Sequence, residues 1–154
     1  MIMRAGTYIG EITNRDNWKL IHGDAISILG SFWHNPIDLC FTSPSPYRYD
    51  NNQQVGIGSE KTIGDYLENL ISLFNLVRHV LAPKGNLFVN MVDGYNPDIG
   101  GMLFIPERFA LMMLQKGWLC KGKIIWWRRY DKRNDFNRFL VDWEYVYWFS
   151  RSET

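Results

Sequence analysis

The chain has 154 residues, a net charge of +1 at neutral pH, and 46% hydrophobic residues. This length suits one domain with a hydrophobic core and is too short for two. The near-neutral charge argues against a surface that is basic throughout, but it leaves room for a local basic surface that contacts nucleic acid.

Cysteines and histidines indicate no metal site, because Cys40, Cys120 and the three histidines lack metal-ligand spacing. Both cysteines are predicted to be buried, small apolar side chains. No secretory signal precedes the domain, and no apolar stretch has membrane-spanning length. We therefore expect a cytoplasmic protein with no membrane partner.

The chain begins with residues 1–16, which are weakly patterned and are interpreted as an N-terminal arm. A single domain is predicted at residues 17–154. Its first strand is Trp18–His22, and Asp24 then fits the N-cap of one or two helical turns that begin at Ala25.

The second predicted strand runs from Asp38 to Thr42 and stops at Pro44 and Pro46. Prolines fix φ and lack a backbone N–H, so the strand cannot continue through them. Ligands in open α/β sheets bind at the carboxyl ends of strands, which makes residues 43–47 a candidate ligand loop. Taken alone, this segment is more typical of an ordinary Pro/Ser turn, and its flanking segments favour the ligand loop.

A polar surface loop at residues 51–60 precedes a helix from Thr62 to Leu81, with Asp65 in an approximate capping box. The segment Pro83-Lys84-Gly85 is interpreted as a turn. The remaining elements are a strand at Leu87–Val92, a helix at Pro106–Gly117, and strands at Trp118–Trp127 and Trp143–Phe149. The order predicts an α/β fold whose sheet is mainly parallel and ends in an antiparallel strand pair.

Short motifs accompany these elements in order: Leu20–Asp24, Asp38–Tyr47, Ile57–Thr62, Leu81–Leu87, Asn90–Tyr95, Ile105–Phe109, Gly117-Trp118, Ile125-Trp126 and Glu144-Tyr145. Together, from about residue 18 to residue 150, they resemble the DNA amino-methyltransferases, which methylate cytosine N4 or adenine N6. The resemblance implies a Rossmann-like methyltransferase sheet, DNA as substrate and S-adenosylmethionine as methyl donor.

The catalytic loop of that family is a Ser/Asp/Asn-Pro-Pro-aromatic tetrapeptide, which the segment Ser43-Pro44-Ser45-Pro46-Tyr47 resembles. The resemblance implies that Ser43 and the Pro44 carbonyl accept hydrogen bonds from the base amine, and that Tyr47 stacks on the extruded base. A serine in first position is similar to the cytosine-N4 group. Ser45 separates the two prolines, so either it bulges outward or the acceptors are displaced.

The resemblance also implies donor contacts by Asp24, Thr42 and Asp93, although Asp24 is equally well interpreted as a plain helix N-cap. Asn90 is expected to satisfy backbone groups rather than to act directly. The family's donor loop, of the type Asp-Pro-Phe-x-Gly-x-Gly, is absent, and in this motif order it would follow the matched segment. We therefore expect weak or absent donor binding by this chain alone.

Missing donor-binding strands would leave an open strand edge and an uncovered apolar face. We expect a complementing chain, a homo-oligomer, or direct pairing of the first two predicted strands to resolve this. The alternative function is an inactive methyltransferase-like remnant that binds DNA or regulates a full-length enzyme.

A basic segment follows the strand that ends at Trp126-Trp127, and one of these two indoles is expected to face the core and the other to be exposed. The predicted DNA contacts are Trp127, Arg128, Arg129, Lys132, Arg133 and Arg138. A solvated basic loop is the alternative interpretation of this segment.

Overall fold

The computed structural model describes residues 10–15, 18–31, 36–48, 56–96, 98, 100–128 and 141–151. Its elements are β1 (Gly10–Arg15), β2 (Trp18–His22), α1 (Ala25–Ser31), β3 (Ile37–Thr42), α2 (Ile63–Val80), β4 (Leu81–Met91), β5 (Tyr95–Asn96), β6 (Gly101–Met102), α3 (Ile105–Gln115), β7 (Leu119–Trp127) and β8 (Trp143–Ser150). Residues 10–15 of the predicted arm thus form a strand. None of the helices in these described ranges is long and apolar enough to cross a membrane.

Four strands form the main sheet, in the order β3-β4-β8-β7. Strands β3 and β4 are parallel, whereas β8 is antiparallel to both β4 and β7. The predicted α/β class and the C-terminal antiparallel pair are confirmed. The prediction that the sheet is mainly parallel is wrong for the described strands. Strand β2 pairs with β1 outside this sheet, so β3–β4 is the one parallel pairing among the described strands. Direct pairing of the first two predicted strands, β2 and β3, does not occur.

Helix α2 begins where the capping pattern predicts. Thr62 Oγ1 accepts a hydrogen bond from the Asp65 backbone N–H at 3.1 Å and donates to the Asp65 carboxylate at 2.7 Å, which satisfies one free N–H of the first turn. Strand β4 follows the helix directly at Leu81, six residues before the predicted start at Leu87. The predicted turn at residues 83–85 is therefore an irregularity inside β4, where the register with β3 shifts.

The hydrophobic core lies between one face of the sheet and the helices α2 and α3. Phe74 of α2 and Phe109 of α3 have ring centroids 5.4 Å apart, and Phe109 meets Phe149 of β8 edge-on at 6.0 Å. All three side chains are completely buried. The buried residues of both helices thus pack on this side of the sheet.

The opposite face of the sheet carries large apolar side chains that are exposed. We call this surface the open face and define it by Leu39, Phe41, Phe88, Ile124 and Trp148. Phe88 stacks between Phe41 and Trp148, with ring centroids 6.4 Å and 5.7 Å away, yet Phe41 is 67% exposed and Leu39 57% exposed. Exposed neighbouring apolar side chains often mark an interaction surface, so this surface is a candidate for contact with further polypeptide.

Both cysteines are less buried than predicted: Cys40 is half-buried and Cys120 is exposed. The reason is that β3 and β7 are the outer strands of the described sheet. Burial raises the pKa of the Cys40 thiol.

Candidate active site

Residues 43–47, which we call the proline loop, follow β3. The loop lies at the edge of the sheet where the carboxyl end of β4 also lies, because these two strands are parallel. Ser43 and Ser45 are exposed, whereas Pro44, Pro46 and Tyr47 are half-buried. The loop therefore presents a hydroxyl and backbone carbonyls at this edge of the sheet. Such an arrangement can accept hydrogen bonds from a ligand.

Asn90 reaches this loop from β4. Its Nδ2 donates to Ser43 Oγ at 3.3 Å and to Glu144 Oε2 at 2.6 Å. Glu144 of β8 is buried, and its second carboxylate oxygen forms an ion pair with Arg128. The expectation that Asn90 serves backbone groups is wrong, because Nδ2 bonds two side chains. The sequence signals this contact only weakly, because Asn90 and Glu144 are polar residues in strands that are otherwise largely apolar around them.

The extra residue of the loop is held through its backbone. The hydroxyl of Tyr66, a buried residue of α2, donates to the Ser45 carbonyl at 2.9 Å, while Ser45 itself remains exposed. A second brace comes from Gly58, whose carbonyl accepts from the Arg48 N–H at 2.8 Å. A side chain at Gly58 would approach the Pro46 carbonyl to 2.9 Å, so glycine permits this close packing.

Tyr47 packs against the domain as well as bordering the loop. Its ring lies 5.6 Å from that of Tyr66 in a tilted arrangement, and its hydroxyl donates to the Lys61 carbonyl at 3.1 Å. The Arg48 guanidinium, 5.2 Å from the ring centroid, donates to the same carbonyl. The contacts fix the ring orientation and leave the ring only half-buried.

Two of the three predicted donor contacts are carboxylates that cap helices. Asp93 accepts from the backbone N–H groups of Gly94, Phe104 and Ile105 at 2.8, 3.1 and 2.9 Å. It thereby replaces a conventional N-cap for α3, since Phe104 has left-handed φ and makes no side-chain cap.

Asp24 accepts from the Ser27 N–H and hydroxyl, both at 2.8 Å, which is the N-cap role that its position in the sequence also predicted. These bonds, the backbone one first, lower the pKa of the Asp24 carboxyl. Thr42, the third predicted contact, ends β3 and is half-buried.

A cavity of about 190 Å³ lies just beyond Asn90, between residues 92–95 and the start of β8. Asp93, Tyr95, Met102 and Trp143 are among the side chains that line it. Room for a ligand group therefore exists just after the carboxyl end of β4, within a partly aromatic wall.

The predicted DNA contacts divide into two groups. Trp126 and Trp127 are 50% and 65% exposed, so the expectation that one of them faces the core is wrong; β7 is an outer strand. Trp127 Nε1 donates to Asp142 at 2.8 Å, and Arg128 lies 5.7 Å from the Trp126 ring while it pairs with Glu144. Arg129, Lys132, Arg133 and Arg138 lie outside the described residues.

Comparison with known proteins identifies the class to which this fold and loop belong. A family model described as DNA methylase, covering N6- and N4-methyltransferases, matches residues 37–154. The chain belongs to this family.

Among the curated relatives, the Type II methyltransferase M.MwoI of Methanothermobacter wolfeii is 33% identical over 88% of this chain and 21% of its own length. M.SfiI of Streptomyces fimbriatus is 28% identical over 89% of this chain and 37% of its own length. Across the matched curated relatives, the chain spans between 21% and 54% of their length.

Solved structures support the fold. The cytosine-N4-specific PvuII DNA methyltransferase superposes with a TM-score of 0.68 at 20% identity, over 84% of this chain and 48% of that protein. A putative DNA modification methylase from Thermus thermophilus, solved with S-adenosyl-L-methionine, superposes with a TM-score of 0.66 at 19% identity, over 86% of this chain and 54% of that protein. At these identities the likeness concerns the fold alone.

Proposed function

We propose that this chain forms the catalytic part of an S-adenosylmethionine-dependent DNA methyltransferase that acts on an exocyclic base amine, with cytosine N4 as the preferred target. The observation that carries the proposal is the hydrogen bond from Asn90 to Ser43 in a proline-stiffened loop of a DNA methylase family member. It supports a role for Ser43 as an oriented hydroxyl rather than as a residue of an ordinary turn.

The chemistry requires acceptors, because the lone pair of an exocyclic amine is delocalised into the ring. A hydroxyl oxygen and a carbonyl that accept the two amine N–H bonds localise this lone pair toward the methyl donor. Ser43 Oγ has two lone pairs and Asn90 uses one, which leaves one for the base. The Pro44 carbonyl is the proposed second acceptor, and Tyr47 is the proposed stacking partner.

Among the described residues, the fit to the methyl donor is poor. The carboxylate of Asp93 serves three backbone N–H groups and that of Asp24 caps α1. The glycine-bearing loop at Gly56–Gly58 packs on the proline loop and follows no described strand. We therefore derive no chemical step through the donor from these residues and assign its binding to additional polypeptide.

We propose that this polypeptide docks on the open face and along the edge of β3 that is unpaired among the described residues. Leu39 and Phe41 of the outer strand β3 are both more than half exposed, and an unpaired, apolar strand edge favours pairing with a further strand. The matched solved structures contain about as much chain again as this one covers. We call the chain together with the polypeptide that supplies the donor-binding strands the complemented enzyme.

The basic segment that begins at Arg128 is the proposed phosphate contact, with Trp127 beside it. Removal of any one of its other cations is expected to weaken binding to all DNA sequences about equally. These cations are Arg129, Lys132, Arg133 and Arg138. Arg128 is held by Glu144 and is expected to contribute less to DNA affinity than the other four.

Transfer of radiolabelled methyl groups from S-adenosylmethionine to DNA tests the proposal. The complemented enzyme is expected to methylate DNA and its Ser43→Ala variant to lose about 100- to 1,000-fold in kcat, the cost typical of removing one oriented hydrogen-bonding group. Calorimetry with the chain alone is expected to detect no tight donor binding. Nucleoside analysis of the product distinguishes N4-methylcytosine from N6-methyladenine.

Two outcomes would decide against parts of this proposal. Tight donor binding by the chain alone would refute the need for additional polypeptide. A complemented enzyme that binds donor and DNA without methyl transfer would favour the alternative, a DNA-binding or regulatory remnant, for which the extra residue Ser45 is the specific observation.

A further inference from the structure

Four polar side chains connect the catalytic loop to the basic segment across the end of the sheet. They run from Ser43 on the loop after β3 through Asn90 of β4 and Glu144 of β8 to Arg128 after β7. Asn90 and Glu144 are each only 6% exposed. This series, which we call the polar chain, lies inside an otherwise apolar sheet, where unpaired polar groups are costly.

Glu144 dictates the orientation of the Asn90 amide. An ionised carboxylate only accepts hydrogen bonds, so the group that faces it at 2.6 Å must be the amide nitrogen and not Oδ1. The second hydrogen of the same nitrogen then points to Ser43 Oγ. Asn90 Oδ1 is left buried and without a donor among the described residues. In this orientation Nδ2 donates to both Glu144 and Ser43, while Oδ1 accepts no hydrogen bond from the described residues.

The orientation has a consequence for Ser43. Because Nδ2 is a donor, Ser43 must use a lone pair toward Asn90 and cannot pass its own proton in that direction. The hydroxyl is thereby rotated so that its remaining lone pair and its hydrogen point away from Asn90. A flipped amide would present Oδ1 instead, and the Ser43 hydroxyl would turn its hydrogen toward Asn90.

Arg128 stabilises the buried carboxylate of Glu144 by forming an ion pair with it. A carboxylate that is removed from water needs a charged or hydrogen-bonding partner, and the Arg128 guanidinium pairs with the oxygen of Glu144 that Asn90 does not use. The guanidinium also lies 5.7 Å from the Trp126 ring. Glu144 is thus held between one neutral donor, the Asn90 amide, and one cationic donor, the Arg128 guanidinium.

We propose that Glu144 is a positioning residue that, held by Arg128, fixes the Asn90 amide so that Asn90 orients the Ser43 hydroxyl toward the base amine. The proposal rests on the proposed function of Ser43. It assigns to Glu144 no contact with substrate or donor.

The ranking of two substitutions in the complemented enzyme separates positioning from packing. Glu144→Gln keeps the side-chain volume, but its amide can donate or accept, so Asn90 is no longer held in one orientation. Its kcat is expected to fall about 10- to 100-fold, the effect of a small misplacement, with KM for DNA unchanged. Glu144→Asp loses volume but remains an acceptor only, and its kcat is expected to exceed that of Glu144→Gln. A purely structural role predicts the opposite order.

Glu107 provides a matched control. It forms an ion pair with Lys123 of β7 at 3.1 Å, with both side chains about one-third exposed. Glu107→Gln also replaces an ion-paired carboxylate by an amide, and it is expected to leave kcat unchanged. Equal losses for Glu107→Gln and Glu144→Gln would overturn the proposal.

A double-mutant cycle with Ser43→Ala tests whether Glu144 acts through Ser43. In the Ser43→Ala background, Glu144→Gln is expected to change kcat by less than about twofold, because residues of one network are not additive. Full additivity overturns the proposal. If Glu144→Gln fails to fold, Asn90→Ala, which removes the donor to Ser43, replaces it in the same cycle.

The geometry is measured independently of activity in the 154-residue chain labelled with ¹⁵N-asparagine. Ser43→Ala is expected to shift one of the two Nδ2 proton resonances of Asn90 and Glu144→Gln the other. Two unmoved resonances would overturn the polar chain even in an active enzyme. Conversely, an inactive complemented enzyme with these shifts intact would refute the proposed function and leave the polar chain standing.

Discussion

The hydroxyl of Tyr66 is the best single point at which to perturb the proline loop without changing the loop residues themselves. Tyr66 is 1% exposed, and its hydroxyl donates to the carbonyl of Ser45, the residue inserted between the two prolines. Tyr66→Phe removes one oxygen and leaves the ring in place. The substitution therefore tests the attachment of the loop to α2.

The expected loss of stability is modest. A neutral hydrogen bond contributes about 0.5–1.5 kcal/mol net to folding, and Ser45 is exposed, so water can replace the lost donor at its carbonyl. We expect about 0.5–1 kcal/mol from urea unfolding. The expected loss in kcat is larger, because a loop displaced by about 1 Å can cost about 100-fold in rate.

Tyr147→Phe is the matched control for this substitution. Tyr147 is 3% exposed, and Lys123 Nζ lies 5.4 Å from its ring centroid, so the change in stability should be similar while kcat stays at the wild-type value. Urea unfolding monitored by circular dichroism and methyl transfer by the complemented enzyme provide the two measurements. Equal kcat values for the two variants would refute the reasoning that Tyr66 holds the loop in its active geometry.

Four further predictions follow from individual contacts. Gly58→Ala is expected to cost about 1–3 kcal/mol in urea unfolding, because its φ of +105° and a Cβ contact of 2.9 Å with Pro46 strain the backbone; an unchanged midpoint would contradict this. Asp93→Ala should cost about 1–2 kcal/mol through the lost cap of α3, again by urea unfolding. Phe41→Glu should reduce self-association of the isolated chain in light scattering and prevent assembly of the complemented enzyme, whereas normal assembly would exclude β3 as the docking edge. Burial raises the pKa of Tyr66 and raises that of Tyr147 to about 12. These two groups should therefore leave the free energy of unfolding constant below the ordinary tyrosine pKa of about 10, and lower it as pH rises through the folded values. Unfolding of the Tyr66→Phe and Tyr147→Phe variants at alkaline pH checks the sign of this dependence.

Secondary structure was predictable wherever periodicity or a cap was local. The run from Tyr66 to Val80 has helical spacing, and Thr62 with Asp65 marks its start, so the prediction of α2 is confirmed to within a residue at each end. Apart from the C-terminal antiparallel pair β7–β8, strand pairing was not predictable in the same way, since it depends on distant segments. The partner of β2 is β1, from a stretch without a clear pattern, and the proline in the Pro83–Gly85 segment suggested a turn although β4 passes through it.

In the candidate site, too, the features formed by consecutive residues were predictable and those formed by distant residues were not. The proline loop is conspicuous in the sequence because its chemistry lies in consecutive residues. The orientation of Ser43, by contrast, depends on Asn90 and Glu144, which are 47 and 101 positions further along the chain, and on strands that become neighbours only in the folded sheet. Asn90 therefore had no visible partner in the sequence, and a role in satisfying backbone groups was the reasonable expectation.

The distribution of buried side chains explains how the described sheet can hold a formed proline loop without the proposed donor-binding strands. The completely buried residues, such as Phe74, Phe109 and Phe149, all lie between the sheet and the helices α2 and α3. Tyr66, which holds the loop, belongs to that same core, whereas the open face contributes no completely buried large side chain among the described residues. Polypeptide that docks on the open face would thus add a second layer without rebuilding the first. We infer that α2, β4 and β8 organise the proposed acceptors for the base amine without the proposed donor-binding strands, so complementation should affect donor binding far more than the geometry of Ser43.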